Sequence, residues 1–176
     1  PGYMGGFTGN RHALLITEEG GKLVPTPRYR MKENTQMRKI KAVLKDDATL
    51  EASVTTVYSC MQQDELQMLI NALSKDKVKE ILHEQLDFAT YEIERFNYKE
   101  NKSKLPSVNE ELNILVSNYA TITGKRLFIV PNIMTRQGRR LTPDENRKFD
   151  IELEVEYTDV DTAEISIPAG YTTESV

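Results

Sequence analysis

The chain has 176 residues, a formal net charge of −4 and a single cysteine. A chain of this length buries roughly 70% of the surface its unfolded form exposes, so it needs neither a disulfide framework nor a metal to fold. The mildly acidic balance offers no general attraction to nucleic acid or an anionic membrane, one cysteine excludes an internal disulfide, and no apolar run approaches the ~20 residues of a membrane span.

The opening Pro1-Gly2-Tyr3-Met4-Gly5-Gly6 lacks the charged and apolar regions of a leader and reads as starting inside a longer protein. His12–Thr17 and Lys22–Val24 are short apolar runs, and Glu18-Glu19-Gly20-Gly21 between them supplies turn glycines for a hairpin. Pro25-Thr26-Pro27 ends the pairing, because proline has no backbone donor. From Gln36 the pattern alternates: Ile40, Ala42 and Leu44 share one face, and Lys39, Lys41 and Lys45 the other. Asp46-Asp47-Ala48 is a turn, and Val54, Thr56, Tyr58 and Cys60 continue on one face of a returning strand. The period then changes to that of a helix, with Leu66, Leu69, Ile70 and Leu73 in one stripe. Ser74 caps a second helix carrying Val78, Ile81, Leu82 and Leu86.

Strand patterning returns at Tyr91–Tyr98, pauses over Lys99–Pro106 and resumes at Leu112–Ala120. After the turn Thr123-Gly124-Lys125, Leu127–Val130 reads as a compact strand, and the polar, basic stretch Met134–Lys148 as a surface loop. Ile151, Leu153, Val155 and Tyr157 alternate with Glu152, Glu154 and Glu156, which predicts a half-buried strand. A turn over Asp159–Thr162 and a last strand at Ala163–Ile167 follow. The expectation is a mainly β (α+β) chain: an antiparallel, β-sandwich-like domain with an inserted pair of short helices.

No residue pattern marks a catalytic, metal or cofactor site. A Cys60 nucleophile needs a histidine base, and the chain has only His12 and His83. His83 shares a polar helical face with Lys79 and Asp87, while Cys60 sits on an apolar strand face, where free cysteine acts as a small hydrophobe. Two separated histidines do not form a zinc site, and the glycine pairs lack the lysine of a phosphate loop. Arg136, Arg139, Arg140, Arg147 and Lys148 concentrate positive charge in one loop; the first three form a candidate surface for an acidic glycan or peptide.

Two segments resemble a known family. Gly2-Tyr3-Met4-Gly5-Gly6-Phe7, followed by Arg11-His12-Ala13-Leu14-Leu15, is similar to the closing turn and strand of bacterial transglutaminase-like (papain-type) proteins. Arg147-Lys148-Phe149-Asp150-Ile151 and Ile165-Ser166-Ile167-Pro168-Ala169-Gly170-Tyr171 resemble the domain of unknown function that follows that core, with Asp150 where proline is common. The resemblance implies that residues 1–27 are the closing segment of the core and 28–176 an accessory domain. It further implies that the family's Cys-His-Asp set lies upstream, so that this chain alone is not an enzyme and takes no cofactor. The implied partner is the upstream transglutaminase-like core of the same polypeptide, with access to its site shaped by this domain. Phe7, Leu14 and Ile16 form the candidate docking surface toward it, and the implied setting is the periplasm or cell surface. Two other readings stay open: an independent glycan- or peptide-binding module, and an enzyme built on Cys60.

Overall fold

In a computed structural model of the chain, residues 2–134, 145–151 and 155–174 are described. The first two strands, His12–Thr17 (β1) and Gly20–Pro25 (β2), pair antiparallel as a separate ribbon, with Leu14 opposite Leu23 and Ile16 opposite Gly21. Gly20 turns the chain at φ +119°, a conformation that only glycine adopts without strain.

The period-two segments form the main sheet. Thr35–Leu44 (β3) and Leu50–Ser59 (β4) pair antiparallel across the expected Asp46–Ala48 turn, where Asp47 Oδ1 accepts from Thr49 N at 2.9 Å. The chain then makes a 3₁₀ turn at Cys60–Gln63 and the two expected helices, Asp64–Ala72 (α1) and Lys75–Gln85 (α2). Ser74 caps α2 by accepting from Lys77 N. Tyr91–Asn101 (β5) and Ser107–Val116 (β6) follow, with a bulge in β5 between Ile93 and Arg95. Thr121–Thr123 (β7) and Arg126–Phe128 (β8) form a small hairpin, and Thr158–Ser166 (β9) closes the sheet in the order β5-β6-β4-β3-β9.

The chain is mainly β with an inserted helical pair. One pairing departs from the antiparallel expectation: β9 runs parallel to β3, from Thr35–Thr158 to Val43–Ser166, so the sheet is mixed. One sheet face carries Ile40, Ala42, Leu44, Leu50, Ala52, Val54, Ile93, Leu112, Ile114 and Val116, all buried. Its cover is composite. Leu82 of α2, Leu86 and Phe88 beyond it, and Tyr119, Leu127, Ile129 and Ile133 around the β7–β8 hairpin take the place of a second large sheet. The other face is open, with Lys39, Lys41, Glu51, Ser53 and Thr55 exposed.

The end of the chain differs from its sequence pattern. Ile151, Val155 and Tyr157 are exposed and outside any strand, and residues 152–154 lie outside the described part. Asp159–Thr162 is not a turn but the first half of β9. The reason is pairing. The ladder starts where Thr158 N donates to Asn34 O at 2.9 Å, and β3 offers nothing earlier because the backbone turns there, with Asn34 N bonded to Arg30 O. Asp159 and Asp161, turn formers by composition, find strand-compatible partners instead. Gln62 Nε2 donates to Asp159 Oδ1 at 2.7 Å, and Arg38 pairs with Asp161 at 3.5 Å. β5 also runs on through Lys99–Asn101 and β6 begins at Ser107, since the two strands pair along their whole length.

Candidate functional site

The ribbon β1–β2 and the turn before it leave several large apolar side chains exposed. Phe7 and Ile16 are each 82% exposed, Leu14 64% and Leu23 69%. Leu14, Ile16 and Leu23 share one face of the ribbon by register, while Leu15, also exposed, projects from the other. A two-stranded ribbon holds little stability by itself in water. Its base is nevertheless fixed to the body. Asn10 N closes the base by donating to Pro27 O at 2.9 Å, and Tyr3 OH and Gly6 N tie it to Asp64 Oδ2 at the start of α1, at 2.6 and 3.1 Å. Met4 N donates to the Tyr29 hydroxyl, and the Tyr3 and Tyr29 rings lie 5.0 Å apart. Burial, and then the bond to Asp64, hold the Tyr3 phenol far above its ordinary value. The candidate docking residues Leu14 and Ile16 therefore sit on an outward-facing arm, and Phe7 in the turn at its anchored root.

A second feature escaped the sequence reading. On the buried face of the sheet, beyond Ile40, Val54 and Leu112, the same alternation places Arg38, Thr56, Tyr58, Tyr98 and Glu110. Arg38 is 9% exposed and Glu110 4%. Glu110 accepts from Tyr98 OH at 2.9 Å and from Tyr58 OH at 3.3 Å. Arg38 reaches Thr56 Oγ1 at 3.2 Å, Tyr58 OH at 3.4 Å and the Asp161 carboxylate at 3.5 Å. A small cavity of about 110 Å³ lies beside them, under Leu86, Phe88 and Ile133. Burial and the Glu110 carboxylate push the Tyr58 phenol up to about 12 despite Arg38, and push Tyr98 further in the same direction. Phenols so raised stay protonated at neutral pH and serve as donors to Glu110. The network ties β3, β4, β5, β6 and β9 together at the polar end of the sheet. Its signal was present in the sequence: charged residues at even positions of strands whose even positions are otherwise apolar.

Cys60 opens the 3₁₀ turn, is wholly buried, and takes φ +57°. Burial pushes its thiol up to about 11, the opposite of the shift a thiolate nucleophile requires. His83 is exposed on α2 and stacks on Tyr91 with ring centres 4.4 Å apart; His12 is exposed at the head of β1. The structure brings neither histidine into hydrogen-bond contact with Cys60 among the described residues. Nor do those residues contain a group of three or more His, Cys, Asp or Glu side chains able to hold a metal. Arg136, Arg139 and Arg140 lie outside the described residues, while Arg147 and Lys148 are exposed. No described helix is long and apolar enough to cross a membrane. Compared with family models, curated proteins and solved structures, the chain matches none.

Proposed function

We propose that this chain is a non-catalytic interaction domain that docks through the β1–β2 ribbon onto a transglutaminase-like core of the same polypeptide, in a periplasmic or cell-surface protein. The observation that carries the reading is the exposure of Leu14, Ile16 and Leu23 on an arm and of Phe7 at its anchored root. Fully burying one such side chain contributes about 1.5–3 kcal/mol, so covering the four together would supply on the order of 5 kcal/mol or more before association costs. The core and the exported setting rest on the resemblance of the Gly2–Phe7 and Arg11–Leu15 segments, and the docked domain would shape access to the core's site.

Amide hydrogen exchange tests this directly. The whole chain is mixed in trans with a transglutaminase-like core lacking this segment, and exchange is followed at residues 12–25. Docking is expected to slow those amides by about tenfold or more while the amides of β4 and β6 stay unchanged. Unchanged exchange in the ribbon at saturating core would overturn the reading. The same mixture, assayed for amide cleavage or amine incorporation, asks whether docking alters the core's activity.

A further inference from the structure

The described residues pair β5 only with β6, so β5 forms an edge of the main sheet. Alternate residues of an edge strand turn backbone N–H and C=O groups outward, without partners from the sheet. Beside the C-terminal half of β5 runs a trough of about 350 Å³, bounded on its far side by the junction of α1 and α2. Ile70, Leu73, Lys75 and Val78 line the helical side, and Phe96, Tyr98 and Glu100 the strand side. Lys75 Nζ stands 5.3 Å from the centre of the Phe96 ring. The wall is held in place. Gln67 Nε2 and Asn71 Nδ2 of α1 donate to the Glu100 carboxylate of β5 at 3.1 and 2.9 Å.

The two faces of this edge differ in chemistry. Phe96 and Tyr98 stand opposite Leu112 and Glu110 on the covered face, whereas Arg95, Asn97 and Lys99 alternate with them and are exposed on the open face. A strand laid along β5 would alternate in the same way. Every second side chain would enter the trough against Ile70, Leu73, Val78 and Phe96, and the others would lie beside Arg95 and Lys99, where opposite charge is favoured. The β5 bulge precedes Arg95, so the ladder is regular from Arg95 to Asn101. Two copies pairing antiparallel about Asn97 would set Arg95 opposite Lys99, like charge against like, which disfavours a second β5 as occupant.

We propose that this edge accepts an extended peptide from another polypeptide, with aliphatic side chains alternating with acidic ones, as a sixth strand of the sheet. Backbone hydrogen bonds to β5 supply its affinity, and the trough together with Arg95 and Lys99 supplies its selectivity. The site shares no residue with the β1–β2 ribbon and stands independently of the ribbon's role.

The probe is a capped, fluorescein-labelled hexapeptide, Glu-Val-Glu-Leu-Glu-Val, titrated with the whole chain by fluorescence anisotropy. Saturable binding is expected, about tenfold weaker for a peptide with Lys in place of Glu and at least tenfold weaker when alternate amides are N-methylated. Leu73→Asp, at a partly exposed position, is expected to weaken binding about tenfold, and Leu14→Ser on the ribbon to leave it unchanged. Should Leu73→Asp lose the fold, Arg95→Glu with Lys99→Glu on the open face is expected to reverse the preference toward the Lys peptide. No binding at millimolar peptide overturns the proposal, as does equal binding of the N-methylated peptide. Loss of binding in Leu14→Ser would move the peptide to the ribbon. Self-association of the chain that Leu73→Asp abolishes, without peptide binding, would assign the edge to a second copy; either result also overturns it.

Discussion

Asn34→Ala and Asn34→Asp separate two halves of one buried hydrogen-bonding hub. Asn34 is wholly buried at the head of β3. Its Nδ2 donates to Glu156 O at 2.9 Å and its Oδ1 accepts from Met61 N at 3.1 Å, with longer approaches of Nδ2 to Tyr29 O and Met61 Sδ, both 3.5 Å. One side chain thereby joins the chain entering β3, the 3₁₀ turn after β4 and the approach to β9. The alanine variant strands the Met61 N–H and the Glu156 carbonyl, each costing about 1–3 kcal/mol where it stays buried, so a loss of roughly 2–6 kcal/mol is expected at every pH. The aspartate variant keeps the volume and the acceptor for Met61 N, but turns a second oxygen toward the Glu156 carbonyl. That carboxyl is comfortable only when protonated, when it can donate to Glu156 O. Its folded pKa then lies above the unfolded value near 3.9, so the stability it contributes is present below that value and lost as pH rises through the folded pKa. Keeping it protonated at pH 7 costs up to about 4 kcal/mol, at 1.36 kcal/mol per pH unit. Urea unfolding followed by far-ultraviolet circular dichroism at pH 4.5, 6 and 7.5 is the assay. The aspartate variant should be clearly more stable than the alanine variant at pH 4.5 and lose that advantage by pH 7.5. Parallel losses across the three pH values would refute the assigned hydrogen bonds.

Three further outcomes are expected. Cys60, wholly buried with its thiol pushed up to about 11, should react with iodoacetamide at pH 8 only after unfolding in urea; rapid labelling of the native chain would contradict its placement. Tyr58 is raised to about 12 and Tyr98 further, so their contribution is intact below pH 10 and lost as pH climbs through 12; tyrosinate absorbance should lag behind free tyrosine and rise sharply with alkaline unfolding, and a smooth titration near pH 10 for all eight tyrosines would count against the Glu110 network. In the ribbon, Leu14→Ser with Ile16→Ser should change global stability by less than about 0.5 kcal/mol while reducing binding of a hydrophobic dye; a loss above 2 kcal/mol would mean that the ribbon packs on the body after all.

What could be read in advance follows from where pairing is local. The β3–β4 hairpin was legible because Ile40, Ala42 and Leu44 alternate with lysines and the Asp46–Ala48 turn lies between them. The helical pair was legible from its stripes and from Ser74, whose side chain does cap α2. β9 was not, since its partner β3 lies more than a hundred residues away and its aspartates become strand residues only because Arg38 and Gln62 meet them. The reverse holds at Ile151, Val155 and Tyr157, where alternation is clear but these described residues lie outside any strand. Periodicity measures readiness to pair; it does not supply a partner. The Arg38–Glu110 network was overlooked for a related reason. Thr56 and Tyr58 continue one face of the returning strand in the sequence, but the charges beside them, Arg38 and Glu110, belong to the strands on either side and meet them only through pairing.

The two unpartnered surfaces differ in a way that bears on how each would be used. The ribbon offers apolar side chains on both faces, with Leu14, Ile16 and Leu23 on one and Leu15 on the other, so an occupant would have to enclose it. Enclosure suits a large, permanent partner, because affinity built from apolar area alone carries little discrimination. The β5 edge offers a backbone ladder, one trough with an aliphatic and aromatic side, and two cations, features that select an extended segment by register, pattern and charge. Such contacts are individually weak and suit exchange. The Asp64 anchor at the start of α1 fixes the root of the ribbon, and Gln67 and Asn71 on the same helix fix the wall of the trough. Among the described residues, helix α1 thus touches both the root of the ribbon and the wall of the trough. Any shift of the helix on docking of the ribbon would be felt at the trough, which makes peptide affinity with and without the ribbon occupied the natural measure of coupling between them.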